Sequence, residues 1–239
     1  MAKQMRLDKY LADMGIGTRS EIKLWIRKGR VKVNDIVVKM PECKVTLEDS
    51  ICFDDKKVSY QSYVYYMLHK PAGVVSATRD NFSQTVLDLI TDKQRKDLFP
   101  VGRLDKDTEG LLLVTNDGEL AHQLLSPKKH VNKVYYAKVR GKVTAEDQKA
   151  FLEGVMIEED YRTLPAQLTI LQSGEISEIE LTIHEGKFHQ VKRMFQAVDK
   201  EVIYLKRLSM GSLRLDEKLK PGEYRELTEQ ELRELKNIG

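Results

Sequence analysis

The stretch Gly102-Arg103-Leu104-Asp105-Lys106-Asp107-Thr108-Glu109-Gly110, followed by Leu111-Leu112-Leu113-Val114-Thr115 and then Asn116-Asp117-Gly118, decides how this chain is read. A short continuous apolar run closed by turn residues has the pattern of a buried strand, so the charged loop before it is pinned to the edge of a core. A carboxylate fixed there can do chemistry. Taken alone, Asp105 also reads as an ordinary solvated turn aspartate, and only the rest of the sequence separates the two readings.

Two further segments do so. Leu68-His69-Lys70-Pro71-Ala72-Gly73-Val74-Val75-Ser76 lies before the Arg-Leu-Asp loop, and His184-Glu185-Gly186-Lys187-Phe188-His189-Gln190-Val191-Lys192-Arg193-Met194-Phe195 lies after it. In this order the three resemble the signature segments of the pseudouridine synthases, specifically the RsuA family. The similarity spreads over residues 63 to 227 and includes the ending Pro221-Gly222-Glu223-Tyr224-Arg225-Glu226-Leu227.

Working outward, Leu7, Tyr10, Leu11 and Met14 recur at helical spacing up to Gly15-Ile16-Gly17. Thr18-Arg19-Ser20-Glu21 reads as a capping box opening a second helix, with Ile22, Trp25 and Ile26 inward and Gly29 as its stop. Val31 to Val38 forms two brief strands around Asn34-Asp35. This arrangement resembles the alpha-L RNA-binding domain typified by ribosomal small-subunit protein four, whose pattern often has Gly where Asp35 stands. Arg6, Lys9, Arg19, Lys23, Arg27, Lys28 and Arg30 then form an expected phosphate-facing stripe. Net charge over the 239 residues is only +3, yet residues 1 to 32 hold nine Lys or Arg against three Asp or Glu, so the basic excess is concentrated at this end.

The polar segment from Lys56 to Ser62 reads as a linker. It divides an RNA-binding domain, residues 1–59, from a catalytic domain, residues 60–239. Strands are expected over Tyr63 to Leu68, Val131 to Val139 and Ile176 to Ile183. Helices are expected from Thr144 to Gly154, around Val191, Met194, Phe195 and Val198, and after Thr228. Strands and helices alternate irregularly and no Gly-rich dinucleotide fingerprint appears, which points to an α+β fold with a largely antiparallel sheet. The resemblance implies a mixed, mainly antiparallel sheet flanked by helices, with the active-site cleft across its middle.

Cys43 and Cys52 lack the spacing of a zinc site and read as buried reduced thiols, so no metal is expected. The start of the chain lacks a signal-peptide apolar core, and no run approaches the ~20 apolar residues of a membrane span. A cytoplasmic, monomeric protein is expected.

The resemblance implies the chemistry. Asp105 matches the family's essential aspartate, Lys192 the basic residue that pairs with it, and Tyr135 the tyrosine that stacks on uracil. Arg103 matches the arginine that moves with base flipping. Arg193, His69, Lys70 and Arg79 are the remaining expected substrate contacts. Pseudouridine formation is redox-neutral and needs no cofactor. The carboxylate could act covalently or through a glycal intermediate. The similarity favours one uridine in the 5′ domain of 16S rRNA, within an assembling small subunit, with 23S rRNA as the alternative. Two other readings compete: a glycosidase-like pair of Asp105 with Asp107 or Glu109, and a non-catalytic ribosome assembly factor that only binds rRNA.

Overall fold

The structure, a computed structural model, describes residues 4–60, 62–91 and 95–237. The chain forms two compact units: Met1–Val64 with Thr91–Leu98, and Tyr65–Ile90 with Phe99–Gly239.

In the first unit, helices α1 (Leu7–Asp13) and α2 (Arg19–Arg27) bury Leu7, Tyr10, Leu11, Ile22 and Ile26 against strand residues Val31, Val45 and Ile51. The capping box forms as its sequence requires: Glu21 N donates to Thr18 Oγ1 at 3.3 Å, and Thr18 N to Glu21 Oε2 at 2.8 Å. Strands Val31–Val33 and Ile36–Val37 are joined by Asn34 and Asp35 at φ of 50° and 64°, the left-handed conformation that a glycine adopts without strain.

The expected linker is shortened. Lys56–Lys57 is a strand paired with Ile51–Phe53 through a second turn of the same kind at Asp54-Asp55. Alternation is not visible in so short a polar arm. Gln61 lies outside the described residues, as do Met1 to Lys3 at the start of the chain. Thr91–Leu98, which the sequence reading assigns to the second domain, belongs to the first unit. There Arg95 is buried, donates to both Asp97 oxygens at 2.9 and 2.6 Å, and lies over the Tyr60 ring. Cys43 and Cys52 are free thiols and only half-buried.

The second unit is built on a nine-stranded sheet. Its principal strands are β1 (Tyr65–Lys70), β2 (Glu109–Thr115), β3 (Lys133–Arg140), β4 (Gln167–Gln172), β5 (Ile176–Ile183), β6 (Glu201–Met210) and β7 (Tyr224–Glu226). They lie in the order β4-β5-β3-β6-β2-β1-β7, with Phe99–Pro100 paired to β2 and Leu213–Arg214 to β6. Only β2 and β6 run parallel; the sheet is mixed and mainly antiparallel.

Leu111 to Val114 are wholly buried, as a continuous apolar run in a central strand requires. Along β3 and β5, buried and half-buried residues alternate, so Tyr135 shares a face with Lys133, Ala137 and Val139 while Tyr136 faces the other way. Helices α3 (Gly118–Leu125) and α6 (Glu229–Lys236) cover the β1–β2 half. Helices α4 (Ala145–Glu153) and α5 (Gln190–Gln196) cover the β3–β5 half. No helix of the described residues is long and apolar enough to cross a membrane.

Candidate active site

The loop that carries Asp105 is fixed on all sides by backbone contacts. Ser76 Oγ accepts from Leu104 N at 3.0 Å and donates to Leu104 O at 2.9 Å. Thr108 N closes the turn onto Asp105 O at 3.1 Å, and Gly73 N donates to Lys106 O at 2.7 Å. Beneath the loop, Lys70 Nζ donates to the carbonyls of Pro71, Lys106 and Thr108 at 3.0, 3.3 and 2.8 Å.

Lys70 is therefore a buried strut beneath the Asp105 loop. Strand β1 is buried at every position, and neither His69 nor Lys70, both expected substrate contacts, lines the cleft into which Asp105 opens. Burial pushes the Lys70 ammonium down to about 8, and the nearby carboxylates oppose that shift. His69 places Nδ1 at 2.7 Å from Leu219 O. Arg79 is exposed on the loop after Val75 and does not line the cleft.

The Asp105 carboxylate opens into a cleft of about 520 Å³. Its apolar wall includes Leu104, Leu125, Ile183, Val191 and Leu205, and Tyr135 faces into it from β3. At Tyr135 the β3–β6 pairing slips: Val134 pairs with Ser209 but Tyr135 with Arg207, so Leu208 is an extra residue. This bulge sets Arg207 directly across from Tyr135 on the cleft side.

Asp105 is 26% exposed and stands 3.6 Å from both Lys192 Nζ and His189 Nε2. Among the described residues its carboxylate accepts no hydrogen bond. Lys192 instead donates to both oxygens of Asp107, at 2.6 and 2.7 Å, and this bond holds the Asp107 carboxyl below the usual carboxylate range. The expected pairing of Lys192 with Asp105 is thus an approach of two charges, with the hydrogen bond going to the neighbouring aspartate.

Arg193 is turned away. Successive residues on a helix project about 100° apart, and Arg193 pairs with Glu158 at 2.6 Å and with the Ile157 carbonyl. Arg103 is exposed on the cleft wall with no salt bridge to a described residue.

His189 sits in the left-handed conformation just before α5, its ring stacked on Phe188 at 3.8 Å. The turn that presents it is organised by Glu185. This buried carboxylate accepts from Leu164 N at 2.9 Å, from Gln190 Nε2 at 2.7 Å and from the Tyr161 hydroxyl. The hydrogen bond to Glu185, with burial, pushes Tyr161 up to about 12.

The cleft lining also includes ionisable residues that the sequence reading does not assign to the site, among them Lys133, Glu185, His189 and Arg207. Lys133 was within reach of a period-two argument, since it lies two positions before Tyr135. Burial pushes it down to about 8, with Arg207 adding to that effect. Arg207 carries no such signal, because Lys206 beside it makes the pair look like an exposed basic step. The glycosidase reading fails on placement. Asp107 is 71% exposed and held by Lys192, Glu109 accepts from Tyr204 at 2.7 Å, and neither lines the cleft. Among the described residues no group of His, Cys, Asp and Glu is arranged to hold a metal.

Residues 64–197 match the family model described as RNA pseudouridylate synthase, and residues 5–51 match the S4 domain. The chain belongs to the RNA pseudouridylate synthase family. A relative from Bacillus subtilis named as an RNA pseudouridine synthase is 50% identical over 95% of this chain and 97% of its own length. Ribosomal small subunit pseudouridine synthase A of Vibrio cholerae is 42% identical over 95% of this chain and 98% of its own. Ribosomal large subunit pseudouridine synthase B of Bacillus subtilis is 41% identical over 98% and 96%. A crystal structure of a pseudouridylate synthase superposes with a TM-score of 0.68 at 38% identity, covering 97% of this chain and 99% of that one. The synthase is therefore an isomerase with an N-terminal RNA-binding S4 domain, of the RsuA type that the three sequence segments resemble.

Proposed function

We propose that the synthase converts one uridine in the 5′ domain of 16S rRNA to pseudouridine, acting on the assembling small subunit, with Asp105 as the catalytic carboxylate. The observation that carries the assignment of Asp105 is its position: its carboxylate opens into the cleft, accepts no hydrogen bond from a described residue, and has Lys192 and His189 each at 3.6 Å. Its two carboxylate oxygens are thereby left open to the substrate, as a nucleophile or general base requires. The bond from N1 to C1′ breaks, uracil turns, C5 joins C1′, and the C5 proton leaves. Tyr135 offers its ring to the base and its hydroxyl to that last proton. Extracting the nucleotide costs a few kcal/mol, and Arg103, exposed on the cleft wall, occupies the gap or holds the adjacent phosphate.

The small-subunit and large-subunit relatives are both named for the ribosome, and identities of 42% and 41% do not rank them. The sequence Phe188-His189-Gln190 favours the small-subunit branch, since large-subunit members more often carry an Asn-Arg pattern there. On the S4 domain, Arg19, Lys23 and Arg27 recur every fourth residue along one face of α2, with Lys28 beside them. They form no salt bridge with a described residue, whereas Arg6, Lys9 and Arg30 are taken up by Asp8, Asp13 and Asp54. The α2 face is therefore the phosphate contact of choice.

Pseudouridine mapping of rRNA from cells with and without the gene tests the target. One site lost from the 5′ domain of 16S rRNA is expected; a site lost from 23S rRNA transfers the substrate to the large subunit. Purified Asp105→Asn should bind the rRNA as wild type does and form no pseudouridine. Normal product yield from that variant refutes the assignment of Asp105.

A further inference from the structure

Two cations lie deep in the same cleft without a carboxylate to balance them. Arg207 is 2% exposed. Its Nε donates to Leu111 O at 2.8 Å, while Nη2 is buried with no hydrogen-bond partner. Lys133 is 6% exposed and donates to Val131 O at 2.9 Å. Neither forms a salt bridge with a described residue. Glu185 is the carboxylate whose charge acts on Lys133, but its oxygens are already occupied by Tyr161, Leu164 and Gln190. A second buried polar atom without a partner, Thr108 Oγ1, belongs to a residue that lines the same cleft.

Burying one unpaired ion costs several kcal/mol, and two of like sign cost more, so such a pair is maintained where an anion arrives. The reaction supplies one. When the N1–C1′ bond breaks, its electron pair stays with uracil and spreads onto O2 and O4. If Asp105 attacks the base instead, charge again moves onto a base oxygen. Every route open to Asp105 therefore places negative charge on the uracil oxygens until the C5–C1′ bond consumes the pair and C5 loses its proton. A phosphodiester does not fit this depth, since it keeps its hydration and meets its cations at the exposed positions, Arg103 among them.

We propose that Arg207 is a catalytic residue whose free Nη2 donates to a uracil carbonyl oxygen, and that Arg207 and Lys133 together stabilise the base anion formed in the isomerisation. The inference rests on the synthase activity and is independent of which rRNA is modified.

The test uses the full-length chain and whichever transcript, 16S or 23S rRNA, the wild type modifies. That transcript is prepared with uridine or with 5-fluorouridine. Fluorine withdraws electrons and stabilises the base anion without help from the protein. Fluorine also leaves C5 without a proton to lose, so the modified base stops after the C5–C1′ bond forms; single-turnover rates are therefore read on both transcripts as loss of the starting nucleoside in nuclease digests, and affinity from filter binding. Arg207→Gln should slow the uridine transcript about 10²- to 10³-fold, the usual effect of removing one donor to a developing oxyanion. Affinity should stay within about threefold of wild type, as expected for a group that acts mainly in the transition state. The loss should be several-fold smaller on the 5-fluorouridine transcript.

Equal losses on the two transcripts would make Arg207 a structural residue and overturn the proposal. So would weakened binding with an unchanged rate at saturation, because the bound group would then be a phosphate. If Arg207→Gln does not fold, Lys133→Met decides by the same comparison: a loss that shrinks with 5-fluorouridine supports the proposal, and an equal loss or none rejects it.

Discussion

A single methyl group at Gly110 tests how the Asp105 loop is held. Gly110 opens the strand that follows the loop, has φ of +107°, and pairs with Arg207 across the parallel β2–β6 contact. A Cβ there would stand 2.6 Å from Arg207 N and 3.0 Å from Arg207 C, and nearer still to Arg207 O. Carbon atoms in good contact are about 3.5–4.0 Å from their neighbours, so β2 and β6 would have to part by about 1 Å. Gly110→Ala then incurs about 1–3 kcal/mol for the dihedral and about 1–3 kcal/mol for the overlap, with about 1 kcal/mol more for a strand hydrogen bond, or roughly 3–7 kcal/mol in all. Since domains are stable by about 5–15 kcal/mol, the variant should be marginal but still measurable. Urea unfolding should be followed by far-UV circular dichroism, because Trp25, the chain's one tryptophan, lies in the other unit. Isomerisation should fall with stability, since the parting strands carry the Asp105 loop and Arg207. A loss below about 1 kcal/mol with an unchanged denaturant slope would show that the strands absorb the methyl group, and would refute the argument.

Lys192→Met should reduce turnover at least about tenfold by removing a cation beside Asp105, whereas Arg193→Met, which loses the Glu158 pair and the Ile157 carbonyl away from the cleft, should stay within about threefold of wild type; the reverse order in steady-state assays would exchange the two roles. Replacing Arg19, Lys23 and Arg27 with Gln should lower the magnitude of the log affinity against log salt slope by about 0.7–0.9 for each phosphate left without its cation, and an unchanged slope would remove α2 from the RNA interface. Lys133 gives a pH test with a definite sign. Its folded value of about 8 lies below the ordinary 10.5, so between these values the unfolded chain holds the proton and the folded chain has lost it; wild-type stability gains from this group as pH rises through that window. Lys133→Met lacks that gain, so its stability should fall behind wild type by up to about 3 kcal/mol between pH 8 and 10.5, and a pH-independent difference in urea midpoints would show that the ammonium is not desolvated.

The parts of the fold that the sequence revealed are those whose cause is local. Leu111 to Val114 could only be a strand covered on both faces, and Thr18-Arg19-Ser20-Glu21 satisfies the backbone donors at the start of a helix whatever surrounds it. Period two separated Tyr135 from Tyr136. Of the three segments that resemble the family, the loop at 102–110 and the segment at 184–195 line one cleft, with Arg103 and Asp105 on its wall and Lys192 3.6 Å from Asp105, while the segment at 68–76 supports the loop from beneath. Charge misled the reading where burial depends on distant chain. Lys70 looks solvated in sequence, yet three carbonyls from two separate segments replace its water. Arg207 is the same problem in another form: its depth follows from the placement of β6 between β3 and β2, which no local pattern records.

The basic groups of the cleft are graded by depth, and that grading matches the order in which a substrate's charges meet them. Arg103 is exposed and suited to a hydrated phosphate. Lys192 and His189 flank Asp105 at intermediate exposure, 21% and 41%. Arg207 and Lys133 lie below them, almost without solvent. Asp107, at 71% exposure, holds Lys192 in a pair of the kind that contributes about 0–1 kcal/mol, so an approaching phosphate or a shift of Asp105 can draw Lys192 away at little cost. Asp105 is left as the one carboxylate of the cleft with its oxygens free, whereas Glu185 is saturated by three donors. The two acids differ in the partners the fold assigns them: Glu185 shapes the turn before α5, and Asp105 is the one free to react.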